Sequence, residues 1–156
     1  MLQSGWMDQS SIGASRRPRI ALVEDSPADA HIFRFALQQT GISLDIDVLE
    51  DGFKAMEYLC AGNGHGPRCD LVLLDLNLPG MSGFEVLERI KAVDQLRRVP
   101  VVVMSGSSSH EDIDRCYLAG ANSYVSKPSQ LEDILEMAGR LVAYWFDCAK
   151  LPNLDR

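Results

Sequence analysis

The sequence predicts an α/β fold: a five-stranded parallel sheet covered by helices on both faces, in a doubly wound (βα)5 arrangement. Three observations carry this expectation. Apolar runs of strand length recur along the chain, segments with helical periodicity separate them, and the two kinds alternate five times. Parallel strands need crossovers, and right-handed crossovers lay a helix over each face in turn. With 156 residues, the chain has the length of one domain and enough core to fold unaided.

The elements follow in order. Residues 1–17 (MLQSGWMDQSSIGASRR) are polar, contain Ser and Gly and lack periodicity, which predicts a flexible N-terminal arm with Met7 as an alternative start. IALV (20–23) is the first strand. Pro27 suits the first turn of the helix ADAHIFRFALQQ, and Gly41 stops it. SLDIDVLE (43–50) alternates apolar with polar residues, the pattern of a strand exposed on one face at a sheet edge. GFKAMEYLC is the second helix. The Gly-rich turn AGNGHGP (61–67) precedes a strand instead of opening a helix, so it does not make a phosphate cradle. LVLL (71–74), the helix GFEVLERIKAV and VVVM (101–104) come next. Ser109 and Asp112 have the spacing of a capping box for EDIDRCYLA, which Gly120 ends. SYVS (123–126) is the last strand and QLEDILEMAGRLVAYWF the last helix. The folded domain is expected over 18–147, with 148–156 as a C-terminal extension.

Composition excludes several classes. Lys and Arg number 15 against 22 Asp and Glu, a net charge of −7, and the basic residues do not cluster, so nucleic acid is not an expected partner. No apolar run approaches the roughly 20 residues of a membrane span, and the first residues lack the pattern of a signal peptide. Cys60, Cys69, Cys116 and Cys148 show neither CxxC nor zinc spacing and are expected as reduced packing residues. His31, His65 and His110 have no metal spacing and no nucleophile beside them. These features predict an acidic cytoplasmic protein.

A polar group follows each apolar strand. The first ends in Glu24 and Asp25, the third in Asp75, the fourth in Ser105 and the fifth in Lys127. Open α/β sheets bind ligands outside the carboxyl ends of their strands, where strand order reverses. If the strand order is 2-1-3-4-5, the ends of the first and third strands are neighbours, and Glu24, Asp25 and Asp75 converge. Three carboxylates in one pocket need a counter-cation, and a hard divalent ion such as Mg²⁺ takes oxygen ligands of this kind. Lys127 adds positive charge and Ser105 a hydroxyl. This set suits a phosphoryl group, with a carboxylate as acceptor.

VEDSPADA, LVLLDLNLPGMSGFEVL, VVVMSG and ANSYVSKP, in that order, resemble the signature blocks of the response-regulator receiver domain of two-component signalling, over about residues 19 to 146. The resemblance implies a flavodoxin-like fold with the strand order 2-1-3-4-5. It makes Asp75 the phosphoacceptor, Asp25 a direct Mg²⁺ ligand, Glu24 a ligand acting largely through water, and Asn77 the donor of a backbone carbonyl to the metal. Ser105 takes the hydroxyl position that follows the phosphate, and Lys127 pairs with a phosphate oxygen. Tyr124 matches the aromatic that turns inward on phosphorylation, and Pro128 implies a cis peptide after Lys127. Glu24 stands where Asp is common, and Ser105 where Thr is common. The implied protein is a stand-alone regulator, not a turnover enzyme, phosphorylated by a sensor histidine kinase and signalling through protein contacts.

DLNLPGMSGFEVL, the Gly-rich turn and a last helix running into WFDCAKLP are similar to the small regulators paired with phytochrome kinases. A chemotaxis-type motor regulator, a phosphate shuttle and a docking receiver without phosphorylation are the alternatives. A haloacid-dehalogenase-type phosphatase would place its nucleophile on an early strand and a second acid where Asn77 stands. A flavodoxin-like FMN site would need a hydroxyl/Gly loop where Glu24 and Asp25 stand.

The last helix predicts self-association. Leu131, Ile134, Ala138, Leu141, Val142 and Trp145 fall on one stripe suited to the sheet, while Tyr144 and Phe146 lie to either side of Trp145. With Leu151, Pro152 and Leu154 beyond them, an apolar edge suited to a two-fold homodimer is expected. The competing expectation is a tail that folds back over its own domain.

Overall fold

Strand side chains alternate between the two faces of a sheet, so a sheet covered on both sides needs apolar residues at every position of its central strands. A computed structural model describes residues 16–61 and 68–154. Its strands are β1 (Arg19–Val23), β2 (Asp45–Leu49), β3 (Leu71–Asp75), β4 (Val101–Ser105) and β5 (Ser123–Ser126). Its α-helices are α1 (Pro27–Gln38), α2 (Gly52–Ala61), α3 (Gly83–Ala92), α4 (His110–Leu118) and α5 (Leu131–Ala143). All pairings are parallel, in the order β2-β1-β3-β4-β5. The expected fold and strand order are both present, and β2 lies at the edge as its alternating pattern predicts.

The two faces divide the core by parity. Ala21, Val23, Val72, Leu74, Val101 and Val103 pack with Ala55, Leu59, Val86, Leu87, Ile90 and Cys116 beneath α2, α3 and α4. Ile20, Leu22, Leu71, Leu73, Val102 and Met104 pack with Phe33, Leu37, Ile134, Ala138 and Val142 beneath α1 and α5. Each buried Leu, Ile or Val side chain contributes about 1.5–3 kcal/mol relative to exposure. At the β2 edge, Arg19 on β1 pairs with Asp47 at 2.6 Å and Asp45 at 3.1 Å, and the Tyr58 hydroxyl donates to Asp47 at 2.6 Å.

Helix ends follow local chemistry. Ser26 caps α1 by accepting from the Asp29 amide, with Pro27 in the first turn. Ser109 caps α4 by accepting from the Asp112 amide, but the reciprocal half of the expected box is missing. The Asp112 carboxylate instead accepts from the Ser107 hydroxyl at 2.7 Å. The complete capping box belongs to α3, between Ser82 and Glu85. Gly120 follows α4 with φ +99°, a left-handed conformation that glycine adopts without strain.

Further expectations are corrected. No cis peptide occurs among the described residues, so the bond between Lys127 and Pro128 is trans, the isomer that X–Pro bonds intrinsically favour. Cys69 and Cys116 are buried, but Cys60 and Cys148 are exposed because they fall on solvent-facing turns at helix ends. Leu131, the first residue of α5, is half-exposed and leaves the stripe to Ile134, Ala138 and Val142, with Leu141 and Trp145 partly buried.

After Ala143 the helix widens into a π-helical turn, Tyr144–Cys148. The wider turn abandons the spacing of 100° per residue, so Trp145 and Phe146 both pack on the α1–α5 layer while Tyr144 stays exposed against the Trp145 ring edge. Beyond it, Leu154 packs against the opposite core layer, as in the folded-back alternative. The arm expected over 1–17 falls on residues outside those described except for Arg16 and Arg17. Arg16 makes a two-bonded ion pair with Asp70. His65 and the Gly-rich turn, apart from Ala61, also lie outside the described residues.

Candidate functional site

The carboxyl ends of β1, β3, β4 and β5 converge because the crossover changes direction between β1 and β3. Glu24 and Asp75 are almost fully buried there, and Asp25 is exposed at the rim. One carboxylate oxygen from each of the three lies within 4.8 Å of the others.

Lys127 neutralises this group from the far side. Its Nζ lies 2.5 Å from Glu24 Oε2 and 3.1 Å from Asp75 Oδ2, with Asp29 of α1 a third partner at 3.5 Å. Asp75 Oδ1 accepts from the Asn77 amide at 3.2 Å, and Glu24 Oε1 accepts from the Ser26 amide at 3.2 Å. Ser105 is fully buried at the end of β4, where its Oγ accepts from the Ser107 amide at 3.2 Å. Tyr124 is half-buried on β5, with its hydroxyl donating to the Ser107 carbonyl at 2.7 Å.

The structure thus brings together Glu24, Asp25, Asp75 and Lys127, with Asn77 on the loop after β3 and Ser105 at the end of β4. Asp29 was not foreseen. Nothing in the sequence marked it: it lies in the first turn of α1 and meets Lys127 only through the packing of that helix in the fold. His31 and His110 are exposed and take no part in the carboxylate cluster.

Burial lifts the Glu24 carboxyl to about 7, and the neighbouring Asp75 charge adds to this against the pull of Lys127 and the Ser26 amide. Burial draws the Lys127 ammonium down, but the bond to Glu24 and the charge of Asp75 outweigh it and raise it above its ordinary range. Crowded acids of this sort favour a proton or a cation. The all-oxygen donor set fits a hard divalent ion held by Asp25 and Asp75, with Glu24 behind them.

A testable pH dependence follows. The folded state binds the Glu24 proton more tightly than the unfolded chain, so the stability contributed by this group is full below its ordinary pKa and is lost as pH rises through about 7. Asp47 is shifted in the opposite direction, but its window lies at or below the ordinary carboxylate range. Protein stripped of divalent ions should therefore melt progressively lower as pH rises from about 5 to about 8. Added Mg²⁺ should raise the melting temperature more at pH 8 than at pH 6. Equal Mg²⁺ effects at both pH values would contradict the Glu24 assignment.

Residues 20–139 match the response regulator receiver domain family. The chain belongs to that family. Among similar proteins, the response regulator Rcp1 of Synechocystis is 37% identical over 85% of this chain and 92% of its own length. A probable methanogenesis regulatory protein, FilR2 of Methanothrix harundinacea, is 40% identical over 86% of this chain and 87% of its own. The phosphorylated cyanobacterial phytochrome response regulator RcpA superposes with a TM-score of 0.82 at 36% identity, covering 88% of this chain and all of that one. The Mn²⁺-bound form of Rcp1 superposes with a TM-score of 0.79 at 36% identity, covering 87% of this chain and 99% of that one. The receiver described here accordingly acts in two-component signalling, where its class of partner is a histidine kinase, and its acid cluster corresponds to divalent-metal chemistry. No described helix is long and apolar enough to cross a membrane.

Proposed function

We propose that this receiver takes a phosphoryl group from a phosphohistidine of a sensor kinase onto Asp75. The observation that carries this reading is the pairing of a buried Asp75 carboxylate with Lys127 Nζ at 3.1 Å. An Asp75 oxygen attacks phosphorus as the P–N bond breaks. The imidazole leaves with the bonding pair, and the product is an acyl phosphate. Lys127 holds the charge of the acceptor and then of a phosphoryl oxygen, and the Ser105 hydroxyl donates to another. The Asn77 amide keeps the acceptor carboxylate oriented.

Glu24, Asp25, Asp75 and the Asn77 backbone carbonyl are the ligands proposed for Mg²⁺. Bound there, the ion neutralises phosphoryl charge. The chain supplies position and charge to its own modification, so we read it as a phosphoacceptor, not a turnover enzyme, working in the cytoplasm. Tyr124 is the proposed switch, linking the phosphoryl site to the face formed by α4, β5 and α5. Its hydroxyl bond to Ser107, two residues past Ser105, supports this. Similarity to Rcp1 and RcpA favours a phytochrome-type kinase as the partner. Phosphotransfer trials against a phytochrome kinase and a chemotaxis kinase decide the point: transfer from the first alone is expected, and transfer from the second alone overturns it.

The proposed dimer uses α5 and the turn after it. An open cavity of about 680 Å³ lies there, lined by Val125, Met137, Leu141, Tyr144 and Trp145 among others. Sedimentation at tens of micromolar should give a dimer for the full chain and a weakened one after truncation at Asp147. A monomer with or without phosphorylation would rule the dimer out.

A further inference from the structure

We infer that the Tyr117 hydroxyl is a positioning group for Tyr124, holding the switch tyrosine from the outer edge of β5. This rests on the reading of Tyr124 as the switch given above. Alternate amides of a parallel strand point to opposite sides. Just past β5 the Lys127 amide turns inward to the Ser105 carbonyl at 2.9 Å, whereas the Tyr124 amide on β5 faces the open edge of the sheet. An edge amide usually goes to water. Here it donates to the Tyr117 hydroxyl at 3.2 Å, from the last turn of α4.

Tyr117 is half-exposed, so water was open to its hydroxyl as a partner. The bond to Tyr124 ties the end of α4 to β5. The start of α4 is tied to the same residue by another route. The Ser107 hydroxyl donates to Asp112, the Ser107 carbonyl accepts from the Tyr124 hydroxyl, and the Ser107 amide donates to Ser105 Oγ. Tyr124 is therefore gripped at its hydroxyl by the β4–α4 loop and at its amide by the far end of α4.

Through this chain, the Ser105 hydroxyl and both ends of α4 have contacts that depend on one position of Tyr124. If phosphoryl binding favours that position, whatever secures it must tighten phosphoryl binding by the same factor. Losing one neutral hydrogen bond corresponds to a change of about fivefold.

The test uses beryllofluoride with Mg²⁺ as the phosphoryl analogue on the full chain. Tyr117→Phe keeps the ring and its packing and removes only the hydroxyl. It should speed amide hydrogen exchange at Tyr124 about tenfold and weaken the analogue about three- to tenfold, with Mg²⁺ affinity alone unchanged. Tyr124→Phe removes the other grip, and the double variant should fall short of the product of the two single effects. Faster exchange with unchanged analogue affinity would reduce Tyr117 to a structural edge cap and overturn the inference, and so would strictly multiplicative effects. Wild-type protein that takes no beryllofluoride would sink the phosphoacceptor reading. Wild-type binding that Tyr117→Phe leaves unmoved would sink this inference alone.

Discussion

Asp75→Asn should leave no base-labile phosphate on the protein after incubation with Mg²⁺ and a phosphorylated kinase or acetyl phosphate. An amide oxygen is a far weaker nucleophile than a carboxylate, and an acyl phosphate cannot form through the amide nitrogen. The loss should be complete, against stoichiometric labelling of the wild type. The fold should survive, because Asn is isosteric and its one oxygen can still accept from the Asn77 amide, while Lys127 keeps its bond to Glu24. Relieving the crowding of Glu24 and Asp75 should leave the melting temperature unchanged or raise it in the absence of divalent ions. Labelling that persists in Asp75→Asn would show that the acceptor lies elsewhere.

Among the described glycines, Gly83→Ala should be the most damaging alanine substitution. A Cβ on Gly83, the first residue of α3, would overlap the Asp75 carbonyl oxygen and stand 2.5 Å from Leu76 Cα. Both obstacles are backbone, so no side chain can turn aside. The Gly83 amide also donates to the Leu76 carbonyl at 2.9 Å, which fixes the helix against the segment that follows Asp75. Relief requires moving α3 or the segment after β3, at a cost of about 3 kcal/mol or more. In a domain of this size that lowers the melting temperature by roughly 6–12 °C. The same change at Gly139, within α5, meets nothing within 4 Å and should stabilise by about 0.5–1 kcal/mol. Thermal melts of the two variants give the comparison. A Gly83→Ala protein as stable as wild type would mean that α3 is not locked to the end of β3.

The sheet and its acids were legible because a parallel strand states its burial outright. LVLL and VVVM occupy fully buried strands, and the first charged or hydroxyl group after each one marks the end where ligands sit. Features that depend on a third element were not legible. Ser109-x-x-Asp112 has the spacing of a box, but Ser107, two residues before the cap, engages the Asp112 carboxylate. Ser82-x-x-Glu85 was equally visible in sequence and does form one. The trans bond before Pro128 could not be read from the dipeptide, because either isomer is open to proline. Residues 144–148 follow no 100° wheel once the helix widens, so the placing of Phe146 beside Trp145 had no signal in the spacing. Asp29 became a partner of Lys127 only when α1 was set against β5.

The charged rim of β2 bears on behaviour at high concentration. An edge strand with free amides and carbonyls invites the same strand of another copy, the first step toward fibrous aggregation. Two β2 edges brought together here would set the Asp45 and Asp47 of one copy against those of the other, with each Arg19 already engaged inside its own molecule. Four carboxylates and a surplus of seven negative charges per chain oppose that union. Colloidal resistance is thus written into two aspartates that lie far from the phosphoryl chemistry, and neutralising both to Asn should expose a sticky seam without touching the signal.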